Sequence, residues 1–324
     1  MRYVVYGAGA VGGVIGVSLH LAGRPVTLIA RGEHLARIRA AGLVLDRADG
    51  RHPVHASAAA TAAEVAWTDD TVVLLCVKGH QTGTALDDLG AHAPAGVAVV
   101  SAQNGVANER ELLRRYAAAY SICVMLPATH LEPGVVIQKC DPTPGILDLG
   151  RAEGGVDDRA EEIGADLRAA GFVSQTRPDI MAWKHRKLLM NLGNGIDAAC
   201  APGEAADALA DLARGEGEHV LERAGIPCVS GAEDQDRRGD ILRRRADSPA
   251  PAGGSTWQSL TRGGSGVEID YLSGEIVLLG RLHGVATPTN AIIQRATHDL
   301  VRSGGPPRSV DAADLLGQLG STRG

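Results

Sequence analysis

Tyr3-Val4-Val5-Tyr6-Gly7-Ala8-Gly9-Ala10-Val11-Gly12-Gly13-Val14-Ile15-Gly16 is the stretch on which the reading of this chain turns. Tyr3 to Tyr6 is a short apolar run of β-branched and aromatic residues, which predicts a buried strand. Gly7, Gly9 and Gly12 follow in G-x-G-x-x-G spacing, and Val11, Ile15 and Leu19 then recur at roughly helical intervals. Strand, glycine turn and helix form the context in which that spacing binds a dinucleotide. Gly7 permits the tight turn. Gly9 has no Cβ, so a pyrophosphate can approach the backbone. Gly12 lets the helix pack close on the strand. The helix N-terminus then offers N–H groups and a positive dipole end to phosphates. Gly7, Gly9, Ala10, Val11 and Gly12 are therefore the expected dinucleotide contacts.

The next strand, expected over 25–30, ends in Ala30-Arg31-Gly32. An NAD site usually carries Asp or Glu there, to hold the ribose 2′-hydroxyl. A guanidinium pairs with a 2′-phosphate, which a carboxylate would repel. Arg31 thus points to NADPH, with Glu33 close by as the one nearby carboxylate.

Working outward, residues 1 to about 175 alternate strand and helix in the βαβ manner. Residues 42–46 and 52–56, joined by Ala48-Asp49-Gly50, read as a hairpin inserted at the sheet edge. Thr71 to Val77 and Gly96 to Ser101 are continuous apolar runs, hence central parallel strands. Lys78 follows the first and Gln103-Asn104-Gly105 the second. Ligands of open α/β sheets sit at the carboxyl ends of strands, so Lys78 and Asn104 are placed to reach a bound cofactor. Helix is expected over 157–170, and a closing strand over 171–175. From Arg177-Pro178-Asp179 onward the pattern is helical: one long helix over 180–199, then 204–224, 241–245, one after Gly253-Gly254-Ser255-Thr256, 270–283 and 287–301. The fold class read from this is α/β, with an N-terminal Rossmann-type dinucleotide-binding domain over 1–176 and an all-α domain over 177–303. A flexible tail is expected over 304–324, with a short helix at 312–319.

The chain has 324 residues, a net charge of -6 and 44% apolar residues. That supports about two domains with sizeable cores and gives no sign of nucleic-acid or anionic-membrane binding. There is no 18-residue apolar run and no visible signal peptide. Cys76, Cys123, Cys140, Cys200 and Cys228 are scattered without C-x-x-C spacing, which fits reduced thiols in a cytoplasmic protein and argues against a metal site. Of 32 basic residues only Lys78, Lys139, Lys184 and Lys187 are lysines. Arginine does not release its proton in a protein, whereas lysine can, so these four are the short list for proton transfer.

Lys187, Asn191 and Asn194 fall at i, i+4 and i+7, one face of a helix, with Trp183 one turn earlier. Flanked by leucines, they converge on a polar cleft rather than a solvated face. A reductase needs a dinucleotide, groups that hold the substrate and an acid for the developing alkoxide. A buried lysine can be that acid, because desolvation brings an ammonium toward neutral pKa. Glu268, between Val267 and Ile269, is a candidate partner carboxylate.

Taken together, Gly7-Ala8-Gly9-Ala10-Val11-Gly12, Ala30-Arg31-Gly32, Val77-Lys78, Gln103-Asn104-Gly105, Trp183 with Lys187-Leu188 and Asn191, Ser255-Thr256, Glu268-Ile269-Asp270-Tyr271 with Gly274, and His283-Gly284 with Thr287-Pro288 resemble the ketopantoate reductase (2-dehydropantoate 2-reductase) family. The resemblance covers nearly all of residues 1–302. It implies NADPH-dependent reduction of a 2-oxo acid to a 2-hydroxy acid, a step of pantothenate biosynthesis. Lys187 would be the acid and Glu268 its partner on a substrate hydroxyl. Asn104 and Lys78 would stand at the nicotinamide and substrate, and Asn191, Asn194 and Thr256 would hold the substrate, which is expected between the two halves of the chain. Two departures fall among these positions. The family usually has a second asparagine where this chain has Gly195, and serine then methionine where Thr256 and Trp257 stand. The expected partners are a small 2-oxo acid and, in a homodimer, a second copy of the chain. Readings from other classes are a 3-hydroxyacid dehydrogenase-like enzyme and a non-catalytic NADPH-binding sensor.

Overall fold

The structure is a computed structural model that describes residues 1–247, 253–261 and 266–321. The chain divides into two compact units, Met1–Lys184 with Ser230–Ser248, and His185–Val229 with Pro249–Gly324.

The first unit opens with β1 (Arg2–Tyr6), α1 (Ala10–Leu21), β2 (Val26–Ile29), α2 (Gly32–Ala41), β3 (Leu43–Arg47), β4 (Gly50–Val54) and β5 (Ser57–Ala59). It continues through β6 (Thr71–Leu75), α3 (Thr82–His92), β7 (Ala98–Ser101), α4 (Asn108–Leu113) and β8 (Ala119–Met125). β9 (Ala128–Thr129), β10 (Val135–Gln138), β11 (Ile146–Arg151) and α5 (Asp158–Ala169) follow, and α6 (Ile180–Asn191) begins in this unit. Seven strands form one sheet in the order β11-β8-β7-β6-β1-β2-β5. All its neighbours are parallel except β11, which runs antiparallel to β8. Alternate side chains feed two cores. Tyr3, Val5, Leu28 and Leu74 face Ile15, Leu19, Ile163 and Leu167 on one side, and Val4, Tyr6, Val73 and Leu75 face Leu86 and Leu89 on the other. Burial on both faces is why these strands read as unbroken apolar runs. The strand order reverses between β1 and β6, and such a switch point opens a crevice at the carboxyl ends of the strands.

The hairpin of β3 and β4 is present but does not extend the large sheet. β3 pairs in parallel with β10, with Val135 opposite Val44, and a separate four-stranded sheet β4-β3-β10-β9 results. Its buried side, Leu43, Leu45, Val54 and Val136, joins the core beneath α1. Gly13 allows that approach, because a Cβ there would lie 2.6 Å from Val136 Cγ1. The closing strand expected over 171–175 is reduced to isolated bridges, Val173 to Ile146 and Thr176 to Leu149.

Residues 230–247 pack within this first unit. No helix forms over 241–245. Instead α9 (Gly231–Arg238) is held at its start by a reciprocal Ser230–Glu233 cap, and Gly239 at φ +41 ends it. Arg237 grips the buried Asp148 of β11 with two hydrogen bonds of 2.8 and 2.6 Å, and Arg245 reaches Asp46 and the Gln138 carbonyl.

The second unit holds the end of α6, then α7 (Gly193–Ala199), α8 (Glu204–Arg223), α10 (Ser255–Thr261), α11 (Ser273–His283), α12 (Pro288–Ser303) and α13 (Ala312–Ser321). The single helix expected over 180–199 breaks at Leu192, just before Gly193, where glycine backbone weakens a helix. Gly195 is packed: a Cβ there would lie 2.7 Å from Ile269 Cδ1 and 2.9 Å from Ile293 Cγ2. The stretch from 304, read as a flexible tail, is tied down as far as 321. Arg308 pairs with Asp197 at 2.7 Å, Val310 bridges Cys200, and Ala312 and Leu315 of α13 are buried. The Pro- and Ala-rich run 249–252 lies outside the described residues, as do 322–324. No helix among the described residues is long and apolar enough to cross a membrane.

Candidate active site

Each unit carries its own half of the candidate residues. In the first unit, Gly7 turns the chain out of β1 at φ +104, a conformation that disfavours any side chain. A Cβ on Gly7 would also meet Val77 Cγ1 at 2.9 Å. Gly9 precedes α1, and a Cβ there would meet no atom within 4 Å. The first turn of α1 has no acidic residue, and no side chain caps it. Its first N–H groups are therefore capped by no side chain, and with the dipole's positive end they make a cradle that suits a pyrophosphate. Ala10 and Val11 open the helix, and Gly12 packs against β1 and Cys76. Desolvation pushes the Cys76 thiol up to about 12, so it stays a thiol there.

Arg31 lies exposed at the end of β2, immediately before α2. Its guanidinium is beside the Tyr6 hydroxyl. Tyr6 is pushed up to about 12 by burial and by its 2.7 Å hydrogen bond to Asp88, so it remains a donor. Glu33 turns along α2 to Arg37 at 3.4 Å. Lys78 is half-buried after β6, and Asn104 is half-buried after β7. The register that pairs Leu75 with Ser101 brings the two strand ends out side by side. Sequence reasoning passed over what joins them. Gln103 Nε2 donates to the Val77 carbonyl and to Thr82 Oγ1, both at 2.9 Å, and Asn108 Nδ2 donates to the Asn104 carbonyl at 3.3 Å.

His34 was also missed. Its Nδ1 accepts the Gly134 N–H at 2.9 Å, so Nε2 carries the proton and donates to the Ala8 carbonyl at 2.7 Å. One neutral imidazole thus ties the glycine turn to the small sheet. Its pKa is lowered from 6.5 by burial, with the His130 ring 4.2 Å away adding to the shift. The unfolded chain then binds the extra proton more readily than the folded one, so folding stability rises with pH. The contribution of His34 is whole above 6.5 and is lost as the pH falls from there through the lower folded value. Thermal midpoints measured from pH 8 to pH 5 should decline in wild type, and less steeply in His34→Gln. Equal slopes would remove His34 from this role.

In the second unit, Lys187 is half-buried on α6 and Asn191, one turn on, is buried. Asn194 lies past the break at Leu192, in the first turn of α7. It sits against Gly254, whose N–H donates to Asp197 Oδ2 at 2.5 Å at the entry to α10. Thr256 follows in the first turn of α10. Its Oγ1 is buried and makes no hydrogen bond among the described residues, which marks it as a group able to receive a polar ligand. Glu268 is buried just before the short turn Ile269–Tyr271. Asp270 anchors that turn to α12 through Gln294 and His298 at 2.6 and 2.7 Å. The side chains of Ile269 and Ile293 fill the space beside Gly195, where the resemblance led to an expected asparagine.

Comparison with known proteins finds one family over both the N-terminal and the C-terminal parts of the chain. The family described as "Ketopantoate reductase PanE/ApbA" matches residues 3–154, and "Ketopantoate reductase PanE/ApbA C terminal" matches residues 179–301. A 2-dehydropantoate 2-reductase of Halobacterium salinarum is 31% identical over 319 residues, covering 93% of this chain and 98% of that one. One from Mesorhizobium japonicum is 30% identical over 329 residues, covering 89% and 94%. Among solved structures, a PanE/ApbA family ketopantoate reductase from Ralstonia eutropha aligns with a TM-score of 0.79 at 27% identity, covering 94% of this chain and 99% of that one. D-mandelate dehydrogenase, solved with NADH and anilino(oxo)acetate, has the same fold, with a TM-score of 0.80 at 23% identity and coverage of 94% and 99%.

Proposed function

This chain belongs to the ketopantoate reductase family of oxidoreductases, which act on CH–OH groups, and from that premise we propose that it reduces a 2-oxo acid to the 2-hydroxy acid with NADPH. Ketopantoate, reduced to pantoate, is the first substrate to test. The observation that supports the cofactor reading most directly is the open Gly9 cradle at the α1 N-terminus, with Arg31 at the end of the neighbouring strand. Gly7, Gly9, Ala10, Val11 and Gly12 hold the pyrophosphate, and Arg31 pairs with the 2′-phosphate. The nicotinamide, when bound, supplies the hydride. Lys78 and Asn104 orient the nicotinamide and the substrate carbonyl. Lys187 gives its proton to the carbonyl oxygen as negative charge develops there. Asn191, Asn194 and Thr256 hold the substrate. Glu268 accepts a hydrogen bond from a substrate hydroxyl and keeps the lysine oriented.

Gly195 and Trp257 alter the substrate-holding set and leave the cofactor set untouched. A branched or larger 2-oxo acid is therefore a direct competitor to ketopantoate. The deciding experiment is turnover of a panel of 2-oxo acids, aryl ones included, with NADPH and with NADH, followed by product analysis. Reduction of none, with oxidation of 3-hydroxy acids, would favour a 3-hydroxyacid dehydrogenase. NADPH binding without any turnover would favour a sensor.

Arg31→Ala should raise the KM for NADPH by about 10- to 100-fold, the scale of one lost charge-assisted contact, and leave NADH kinetics nearly unchanged. Equal weakening of both cofactors would show that Arg31 does not meet the 2′-phosphate.

A further inference from the structure

Lys184 and Glu109 are buried, with side-chain exposures of 3% and 2%, and the functional reading uses neither. An ion pair this deep is a weak source of stability, because desolvation offsets most of its attraction. Its placement invites another explanation. Lys184 Nζ donates to Glu109 Oε1 at 2.5 Å and to the Gln103 carbonyl at 3.0 Å. Ser121 Oγ donates to the same carboxylate oxygen at 2.7 Å. Burial pushes the Glu109 carboxyl up, but the lysine and serine beside it outweigh burial and hold it below the ordinary carboxylate value. The ammonium is thus fixed between β8, α4 and the carbonyl that immediately precedes Asn104. Gln103 carries the constraint further. Its side chain holds the Val77 carbonyl, next to Lys78, and the Thr82 hydroxyl, which donates to Asn108 Oδ1 at 2.8 Å. Asn108 in turn holds the Asn104 carbonyl. Every link lies inside the first unit.

We infer that the Lys184–Glu109 pair is a positioning device: through Gln103 it sets the two loops that present Lys78 and Asn104. Its catalytic consequence rests on the reductase reading above. The pair acts by geometry and exchanges no proton with substrate. Displacing a catalytic group by even 1 Å can lower turnover about 10²-fold, so a brace on both loops is a lever on kcat. The phosphate end of the cofactor is held elsewhere, by the glycine turn and Arg31, and should not feel it.

Two variants separate positioning from folding. The double variant Lys184→Met/Glu109→Met replaces the pair with apolar side chains of similar length, an exchange buried ion pairs often tolerate. Gln103→Leu leaves the pair intact and cuts its link to Val77 and Thr82. In either one, kcat should fall by about 10²-fold while the Kd for NADPH, read from its fluorescence, moves by less than about threefold. Amide hydrogen exchange in the free protein should speed up over 77–82 and 102–108 and stay unchanged over 2–6 and 26–29. A folded variant with wild-type exchange in both loops overturns the inference, as does one with kcat within about threefold of wild type. If wild type reduces no 2-oxo acid, the reductase reading fails, and the exchange measurement alone still decides whether the brace exists.

Discussion

Lys187→Arg should keep the positive charge and much of the substrate binding but lose kcat by about 10² to 10⁴-fold. Hydride arriving at a carbonyl carbon leaves an alkoxide too basic to persist in a dry cleft. A guanidinium can pair with that oxygen but cannot give it a proton. Lys187 stands on α6 one turn before the buried Asn191, in a chain that uses arginine almost everywhere else. Lys187→Ala should lose at least as much turnover, with NADPH affinity little changed, because the residues proposed to hold the dinucleotide belong to the other unit. Steady-state kinetics beside equilibrium NADPH binding make the check. If Lys187→Arg retained more than about a tenth of wild-type kcat, proton transfer by this residue would be excluded, since that loss lies below the general-acid range. The donor would then have to be sought at Lys78 or in a water oriented by Glu268.

Gly12→Ala should abolish high-affinity dinucleotide binding and lower the thermal midpoint. Two effects oppose each other. Alanine inside a helix is intrinsically better than glycine by about 1 kcal/mol. Against that, a Cβ at Gly12 would overlap the Gly7 carbonyl oxygen and lie 2.8 Å from Cys76 Cβ and 2.9 Å from Val5 Cγ1. None of these is the end of a flexible side chain, so α1 or the glycine turn must move. Overpacking of this kind costs about 1–3 kcal/mol or more, which exceeds the propensity gain. The movement falls on the turn that would cradle the pyrophosphate. Gly90→Ala is the control: Gly90 lies in the helix α3, and a Cβ there would meet nothing within 4 Å. It should raise the midpoint slightly, by no more than about 1 kcal/mol of stability, with binding unchanged. A Gly12→Ala protein that bound NADPH as tightly as wild type would refute the assignment of this turn to the cofactor.

Much of this is legible in the sequence. The glycine turn between strand and helix, the continuous apolar strands and the switch to helical periodicity after residue 177 all report local burial, and local burial is what periodicity encodes. The strand ends that carry Lys78 and Asn104 followed from the same pattern. So did Lys187 and Asn191, because one helical turn separates them in sequence as well as in space.

Other features depended on pairings between residues far apart in the chain, which no short window of sequence contains. Lys184 was visible only as one lysine of four; that it meets Glu109 and Gln103 is set by how α6 lies on the sheet. The break at Leu192, which divides the helix expected over 180–199, is a backbone feature that hydrophobic spacing alone did not mark. Residues 230–247 return to the first unit through Arg237 on Asp148 and Arg245 on Asp46, ion pairs spanning 89 and 199 positions. The sequence by itself therefore determined the main strands and helices, the glycine turn and the spacing that sets Lys187 and Asn191 one turn apart, because these rest on nearest neighbours. Only the tertiary structure decided which charges are buried together, where α6 ends and which segment closes on the first sheet, because a buried charge is stable only beside a partner that the fold alone supplies.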